Sequence, residues 1–501
     1  MPAMADPVLL LTWGATLLVF APLLAGLLVY LLPGRRREAW VATATALGLL
    51  LPLAAVSVAA LEAGPLTFAF GGHRAPLGIE LAIDGLALAM LWLTAIIMLA
   101  VTCYTTSWLR DAPGFRATEF RVLIFLLWSG LNGLFLSADL FNLYVMLEIV
   151  TLTAVPLVVF SHGAAAIRAA MQYLVFALAG SIFYLLGVAL IYAETGLLAI
   201  SALGSAQLDG PGAAVALAAM TTGLAMKAAL FPVHAWLPTA HAVAPSPASA
   251  LLSALVAKAA VYLLVRLWLG PFAGLGSTAV LQGLGAIGMA GMVYASLQAL
   301  RQPKLKGVVA YSTVAQLGYF LLLLPLASLV AWQGVLYHGL VHGLAKTALF
   351  LAAGNLIRAA GSDRLDRLAG ADRVLGGSLM AIALAGVSLA GLPPSGGFIG
   401  KWWLIQASLE AGQWWWVIGI VVGGLLAAAY VFRVLRYGMI DPADASAGKP
   451  AETPGNVRPG MIWPPILLAV AAIVLGFTGD LLQPLLAIGG PGTIPGAGGT
   501  P

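Results

Sequence analysis

The chain has 501 residues, of which 61% are hydrophobic and only 9% charged, with a mean hydropathy of +1.00. Soluble domains carry roughly a quarter charged residues, so most of this chain's surface is not built for water and the bilayer is its solvent. The formal charge of +5 does not indicate nucleic acid, because the basic residues are scattered over short loops rather than gathered in one patch. A single cysteine, Cys103, excludes a disulfide framework, a cysteine zinc site and an iron–sulfur cluster held by this chain alone.

Taken in chain order, apolar runs of about twenty residues recur from end to end, each long enough to cross the hydrocarbon. Cuts at polar or Gly/Pro-rich joints predict fourteen spans: 8–32, 40–62, 84–109, 118–137, 140–160, 168–194, 213–237, 244–270, 278–300, 306–327, 331–357, 376–410, 414–438 and 460–488. The expected fold is an all-α polytopic membrane protein forming a single domain over 1–488, with a Gly/Pro-rich disordered tail at 489–501. The first run is followed by Arg35, Arg36 and Arg37 without a basic region before it, and reads as a retained helix rather than a signal peptide. Lysine and arginine gather on the cytoplasmic side of membrane proteins. With fourteen spans, eighteen of the 24 cations fall on one side, among them Lys304, Lys306 and Lys449, and only Arg74 and Arg266 on the other. That asymmetry predicts a multi-pass protein of the bacterial inner membrane with both termini outside the cytoplasm.

The four remaining cations, Lys227, Lys258, Lys346 and Lys401, lie inside spans, whereas every arginine sits at a span end or in a loop. An ionisable group at mid-membrane costs about 2.5–3.5 kcal/mol, so these lysines together with Glu148 oppose insertion by about 12–17 kcal/mol and mark a function. Lysine suits proton relay because burial and neighbouring charge can make it release its proton, while guanidinium stays charged.

The fifth span, DLFNLYVMLEIVTLTAVPLVVF, carries Glu148 with Thr151 and Thr153 nearby. The carboxylate either staples two helices or pairs with a buried lysine to tune it. In the seventh span Lys227 precedes Pro232 by five residues. Proline breaks a helix, and irregular backbone at membrane depth is tolerated only inside protein or beside water, so water is expected to reach Lys227 and His234. His234 and His241 can pass protons near neutral pH or simply bind carbonyls freed by the prolines. His234 is assigned to the path. Lys258 stands mid-span among alanines in the eighth span.

In the eleventh span His338, His342 and Lys346 follow at i, i+4 and i+8 and share one face. A metal site is the alternative, but no third ligand stands beside the histidines and the lysine opposes a cation. The twelfth span breaks at GLPPSGGFIGKWW, with Pro393 and Pro394 mid-span and Lys401 just beyond. Two interrupted spans five apart point to inverted repeats, spans 4–8 (118–270) and 9–13 (278–438), meeting near the midplane.

At these residues the chain resembles the antiporter-like family shared by complex I membrane-arm subunits, membrane-bound hydrogenases and Mrp cation/proton antiporters. The motifs are FNLYVMLEI, MKAALFPVHAWLPTAHAVAPSPASALL, LVAKAAVYLLVR, LKGVVAYSTVAQLGY, HGLVHGLAKTALFLAAG and LAGLPPSGGFIGKWWL. The resemblance implies fourteen core helices, two inverted five-helix repeats, other membrane subunits as partners, and a proton route through Glu148, Lys227, Lys258, His338, His342, Lys346 and Lys401. The length suits a core-only member without a lateral C-terminal helix. Lys401 is similar to the D-type Mrp subunit, and GGHRAPLGIELAIDGLALAM and YAETGLLAISALG resemble D-type Mrp or related hydrogenase subunits; the D-type reading implies Na+ as the exchanged cation. A redox-driven complex I or hydrogenase subunit is the alternative. A non-conducting scaffold, in which buried charges only register helices, is a competitor of another class. An organic-solute transporter would need a substrate-sized polar site, and a nucleotide-driven pump would need a P-loop, which is absent. A transport subunit rather than an enzyme is expected, without cofactor or metal.

Overall fold

The computed structural model describes residues 7–73, 78–112, 115–161, 163–206, 208, 210–440 and 456–490. Arg74, Lys449 and residues 491–501 of the tail expected at 489–501 lie outside the described residues. Among the described residues, twelve helices are long and apolar enough to cross a membrane. Two further crossings are each made of two shorter helices: Pro211–Ala228 with Trp236–Val243, and Ala371–Ala390 with Gly396–Glu410. The chain is thus an all-α polytopic bundle whose seventh and twelfth spans are broken, as the sequence leads one to expect.

Several boundaries differ. The second span starts at Arg35, which draws Glu38 into the bundle, and the fourteenth ends at Phe477 rather than 488. Residues Gly479–Ala487 form a separate short helix, and the Ile488 carbonyl accepts a hydrogen bond from the Gly85 N–H at 2.8 Å. Between spans 2 and 3, where only a joint was expected, Leu66–Ala69 pairs antiparallel with Glu80–Ile83 in the register Leu66↔Ile83.

The seventh span stops before its proline. Ala229 adopts φ 55°, a left-handed conformation that closes the first half-helix three residues ahead of Pro232. Trp236 Nε1 donates to the Met226 carbonyl at 2.8 Å and ties the second half back to the end of the first. In the twelfth span Gly391 takes φ 77° and caps the first half, and Ser395 Oγ accepts the Phe398 N–H at 3.3 Å to start the second.

Spans 6 and 7 cross at glycine. A Cβ on Gly180 would lie 2.7 Å from the Gly223 carbonyl oxygen and 3.1 Å from Lys227 Cγ; one on Gly223 would lie 2.3 Å from the Gly180 oxygen. Small residues let the backbones approach, as they must where apolar lipid gives no drive to helix association. This crossing sets Lys227 against spans 5 and 6.

A buried ion pair fastens span 2 to span 4. Arg121 donates to Glu38, with side chains 5% and 2% exposed, and Glu38 also accepts from Thr118 Oγ1 at 2.7 Å and the Gly34 N–H at 3.0 Å. On the other side of the bundle Arg266 of span 8 grips Asp84 in a bidentate pair at 2.9 and 3.0 Å, and Asp84 caps span 3 through the Ala87 N–H at 2.8 Å.

Candidate functional site: a row of buried lysines

All four lysines found inside spans are buried, and each Nζ is held by oxygen. Lys227 Nζ donates to Glu148 Oε1 and to Thr151 Oγ1, both at 3.1 Å. Glu148 also accepts a short hydrogen bond from Ser181 Oγ of span 6. Three consecutive spans therefore converge on one carboxylate, which is itself 19% exposed while the lysine is 5% exposed.

The other three lysines have no carboxylate among the described residues. Lys258 Nζ donates to the Ser253 carbonyl at 3.2 Å, within a π-helical turn, Leu252–Val256, that interrupts span 8. Such a turn loosens one carbonyl from the helical ladder and recurs at functional sites. Lys346 of span 11 donates to the Val309 carbonyl of span 10 at 2.8 Å and makes a short bond to Ser312 Oγ. Lys401 reaches back across the break to the carbonyls of Leu389 and Ala390, at 2.7 and 3.1 Å. Those oxygens end the first half-helix, where the last carbonyls lack amide partners and the helix dipole favours a cation.

Rings connect Lys401 to the two histidines of span 11. Lys401 Nζ lies 5.0 Å from the centre of the Tyr319 ring, which stands 5.2 Å from His338. His338 and His342 stack at 5.7 Å with planes 3° apart, as their i, i+4 spacing requires. Lys346 follows His342 one turn on along the same face, and Ser253, whose carbonyl holds Lys258, is tied through its hydroxyl to Thr313 at 2.8 Å, next to the Ser312 that holds Lys346. Span 12 approaches span 11 at this point: a Cβ on Gly400 would sit 2.9 Å from the His338 nitrogen.

The expected residues thus fall into two groups. Glu148 and Lys227 form one, with Thr151 and Ser181. Lys258, His338, His342, Lys346 and Lys401 form the other. No hydrogen bond or ion pair among the described residues bridges the two. His234 joins neither; its ring packs against Phe231 at 5.7 Å and Tyr294 at 5.3 Å. His241 is the better placed of the two histidines near the break. It is fully buried, stacks on Phe350 of span 11 at 4.9 Å, and lies one turn before Ala244, whose carbonyl accepts from Lys306.

Lys306 itself is a correction. Counted with the cations of the cytoplasmic side at the very start of the tenth span, it is 8% exposed and donates to the Ala244 carbonyl at 2.6 Å, where the second half of span 7 ends beside it. Ser181, Ser312 and Tyr319 were also missed as site residues. The last two lie in the LKGVVAYSTVAQLGY motif, so a signal existed for them; Ser181 has none beyond being a hydroxyl in an apolar run. No cluster of three metal-ligating side chains occurs among the described residues.

A bundle of membrane-spanning helices with two interrupted spans and buried lysines is the architecture of an antiporter-like membrane subunit. The chain matches the family described as NADH:quinone oxidoreductase/Mrp antiporter, transmembrane, over residues 137–427, and it belongs to that family. It is 36% identical over 424 residues to the N-type subunit of the NADH-quinone oxidoreductase of Desulforudis audaxviator, covering 82% of this chain and 84% of that protein. It is 28% identical over 430 residues to the D-type subunit of the Na(+)/H(+) antiporter of Bacillus subtilis, covering 83% and 84%. In structure it matches a chain of the Mrp complex from Dietzia sp. DQ12-45-1b with a TM-score of 0.87, at 27% identity over 95% of this chain and 96% of that one.

Proposed function

We propose that the chain is the proton-translocating subunit of a multisubunit Mrp-type monovalent cation/proton antiporter, exchanging Na+ for H+. The observation that carries a proton role is the Glu148–Lys227 pair, a carboxylate and an ammonium kept inside the bundle beside three more lysines whose acceptors are neutral. A carbonyl oxygen accepts from an ammonium or an amine alike, so a lysine held this way can change protonation without losing its partner. The match to the Mrp complex over nearly the whole chain supports the antiporter assignment.

In the proposed route a proton arrives beside the broken seventh span and is held on Lys227 by Glu148. Drawing the carboxylate away withdraws the charge that holds it, and the proton moves through Lys258 and the His342/Lys346 face, then His338, to Lys401. His234 serves at the mouth of the break beside Pro232. Lys401, beyond Pro393 and Pro394, opens to the other side. Spans 4–8 and 9–13 are the two inverted repeats of this route. Their members run 20, 20, 32, broken and 24 residues against 24, 22, 32, broken and 25, the agreement expected of two copies. The arginine-rich side faces the cytoplasm and both termini lie opposite.

A second reading is favoured by the 36% identity to an NADH-quinone oxidoreductase subunit: the same row would then serve a redox-driven pump. Inverted vesicles from an antiporter-deficient bacterium expressing the whole assembly separate the two. Sodium-driven proton movement that falls at least about tenfold in Lys227→Ala and Glu148→Ala supports the antiporter. Proton pumping only on addition of an electron donor supports the redox complex, and wild-type transport in both variants rejects the route.

A further inference from the structure

Away from the lysine row, a cleft of ≈ 610 Å³ opens where spans 2, 3 and 4 meet on the arginine-rich side. Four guanidinium groups line it, those of Arg35, Arg36, Arg110 and Arg121. Only one of the four is neutralised by a described carboxylate. Glu38 is committed to Arg121, its second oxygen taken by Thr118 and the Gly34 N–H. Arg35 is fixed in place by the carbonyls of Arg110 and Ala112, at 3.3 and 3.2 Å. Carbonyls orient a guanidinium without cancelling its charge. No described side chain places a carboxylate against Arg36 or Arg110. Like charges held together at the edge of an apolar bundle repel one another, and an anion in the cleft relieves that cost.

The anion's source is indicated by what leads out of the cleft. Trp40, on its rim, is 67% exposed, and the same helix face continues with Leu47 at 51% and Leu51 at 77%. Positions 40, 47 and 51 stand one above another on a helix, forming an apolar track from the arginines toward the hydrocarbon. A free phosphate would use the guanidiniums and leave the track bare. A phospholipid uses both, its phosphate against the planar forks and an acyl chain along the track, with tryptophan at the interface level where such rings settle.

We propose that this cleft is a binding site for an anionic phospholipid, held through its phosphate by Arg36 and Arg110 with Arg35 in support. The site is independent of which ion the lysine row carries.

Cys103, the chain's single cysteine, is exposed and shares a face of span 3 with Thr106 and Arg110, which line the cleft, at i, i+3 and i+7. A fluorophore on Cys103 therefore reports on chains lying below the site. The full chain, so labelled, is placed in nanodiscs containing brominated phosphatidylglycerol or brominated phosphatidylcholine, and quenching is followed against mole fraction. Half-quenching is expected at a markedly lower fraction of the anionic lipid. In R36Q/R110Q, checked for unchanged size and thermal midpoint, the preference is expected to fall about fivefold per arginine removed. Equal quenching by both lipids overturns the proposal, as does a preference that survives in the folded double variant. Loss of the preference on adding excess inorganic phosphate also overturns it, since the cleft would then be a soluble-anion site. Persistence in phosphate, with loss in the double variant, establishes the lipid.

Discussion

Lys227 meets a carboxylate whereas Lys258, Lys346 and Lys401 meet neutral oxygens, and the difference assigns them different expected sensitivities. Lys227 faces a carboxylate, so removing Glu148 takes away both a hydrogen bond and a charge, whereas Ser181→Ala removes only one neutral donor. A neutral hydrogen bond contributes about 1 kcal/mol and one to a charged group about 1.5–3 kcal/mol. Ser181→Ala is therefore expected to slow transport in vesicles by roughly tenfold, with the protein still inserted at the normal level; an unchanged rate would remove Ser181 from the path. Lys346→Met should leave a folded protein, because its partners, the Val309 carbonyl and Ser312, are neutral and the site stays uncharged. The expected outcome is normal assembly with transport lost, measured by subunit recovery beside vesicle assays. Defective assembly with normal specific transport would instead favour a lysine that only registers helices.

At the scale of elements, what the sequence made legible was each charge that interrupts an apolar run and each proline that interrupts a helix. Lys227, Lys258, Lys346 and Lys401 stood out because each is a cation within a long apolar run. Their acceptors did not stand out, since the Ser253, Val309 and Leu389 oxygens belong to backbone and exist as sites only once a π-turn, a neighbouring span or a half-helix end presents them. Lys306 and Glu38 were hidden by position: Lys306, at the first residue of its span behind Pro303 and Lys304, reads as an end charge, and Glu38, behind three arginines, reads as loop charge until the start of the second helix moves outward to Arg35. Removing one partner of a buried pair leaves an uncompensated ion, at about 3–5 kcal/mol. Glu38→Ala is accordingly expected to lower the thermal midpoint of the detergent-solubilised protein clearly, while Glu38→Ala combined with Arg121→Met recovers most of the loss. If the single variant melts like the parent, spans 2 and 4 are held by packing alone. A side chain at Gly223 is a further test of elements: Gly223→Val would push span 7 off span 6 at a backbone contact and is expected to abolish stable insertion, whereas Gly48→Val meets open space.

For the whole molecule, the sixth span has a consequence that concerns the membrane itself. Its exposed apolar face runs from Ile167 through Val175 and Ile182 to Tyr192, about 37 Å along a helix axis, against a hydrocarbon core of about 30 Å. Such an excess is absorbed by leaning or by local thickening of the lipid. The helix that must lean is also the one that offers Ser181 to Glu148 and receives span 7 at Gly180. Transport in vesicles of graded acyl-chain length is expected to peak in lipids thicker than average, and a flat profile would show the span to be clamped by its neighbours. Hydrophobic mismatch thereby becomes a mechanical input: a thinning bilayer tips the strut against which the carboxylate rests, and lipid chain length joins the ion gradient as something this subunit can register.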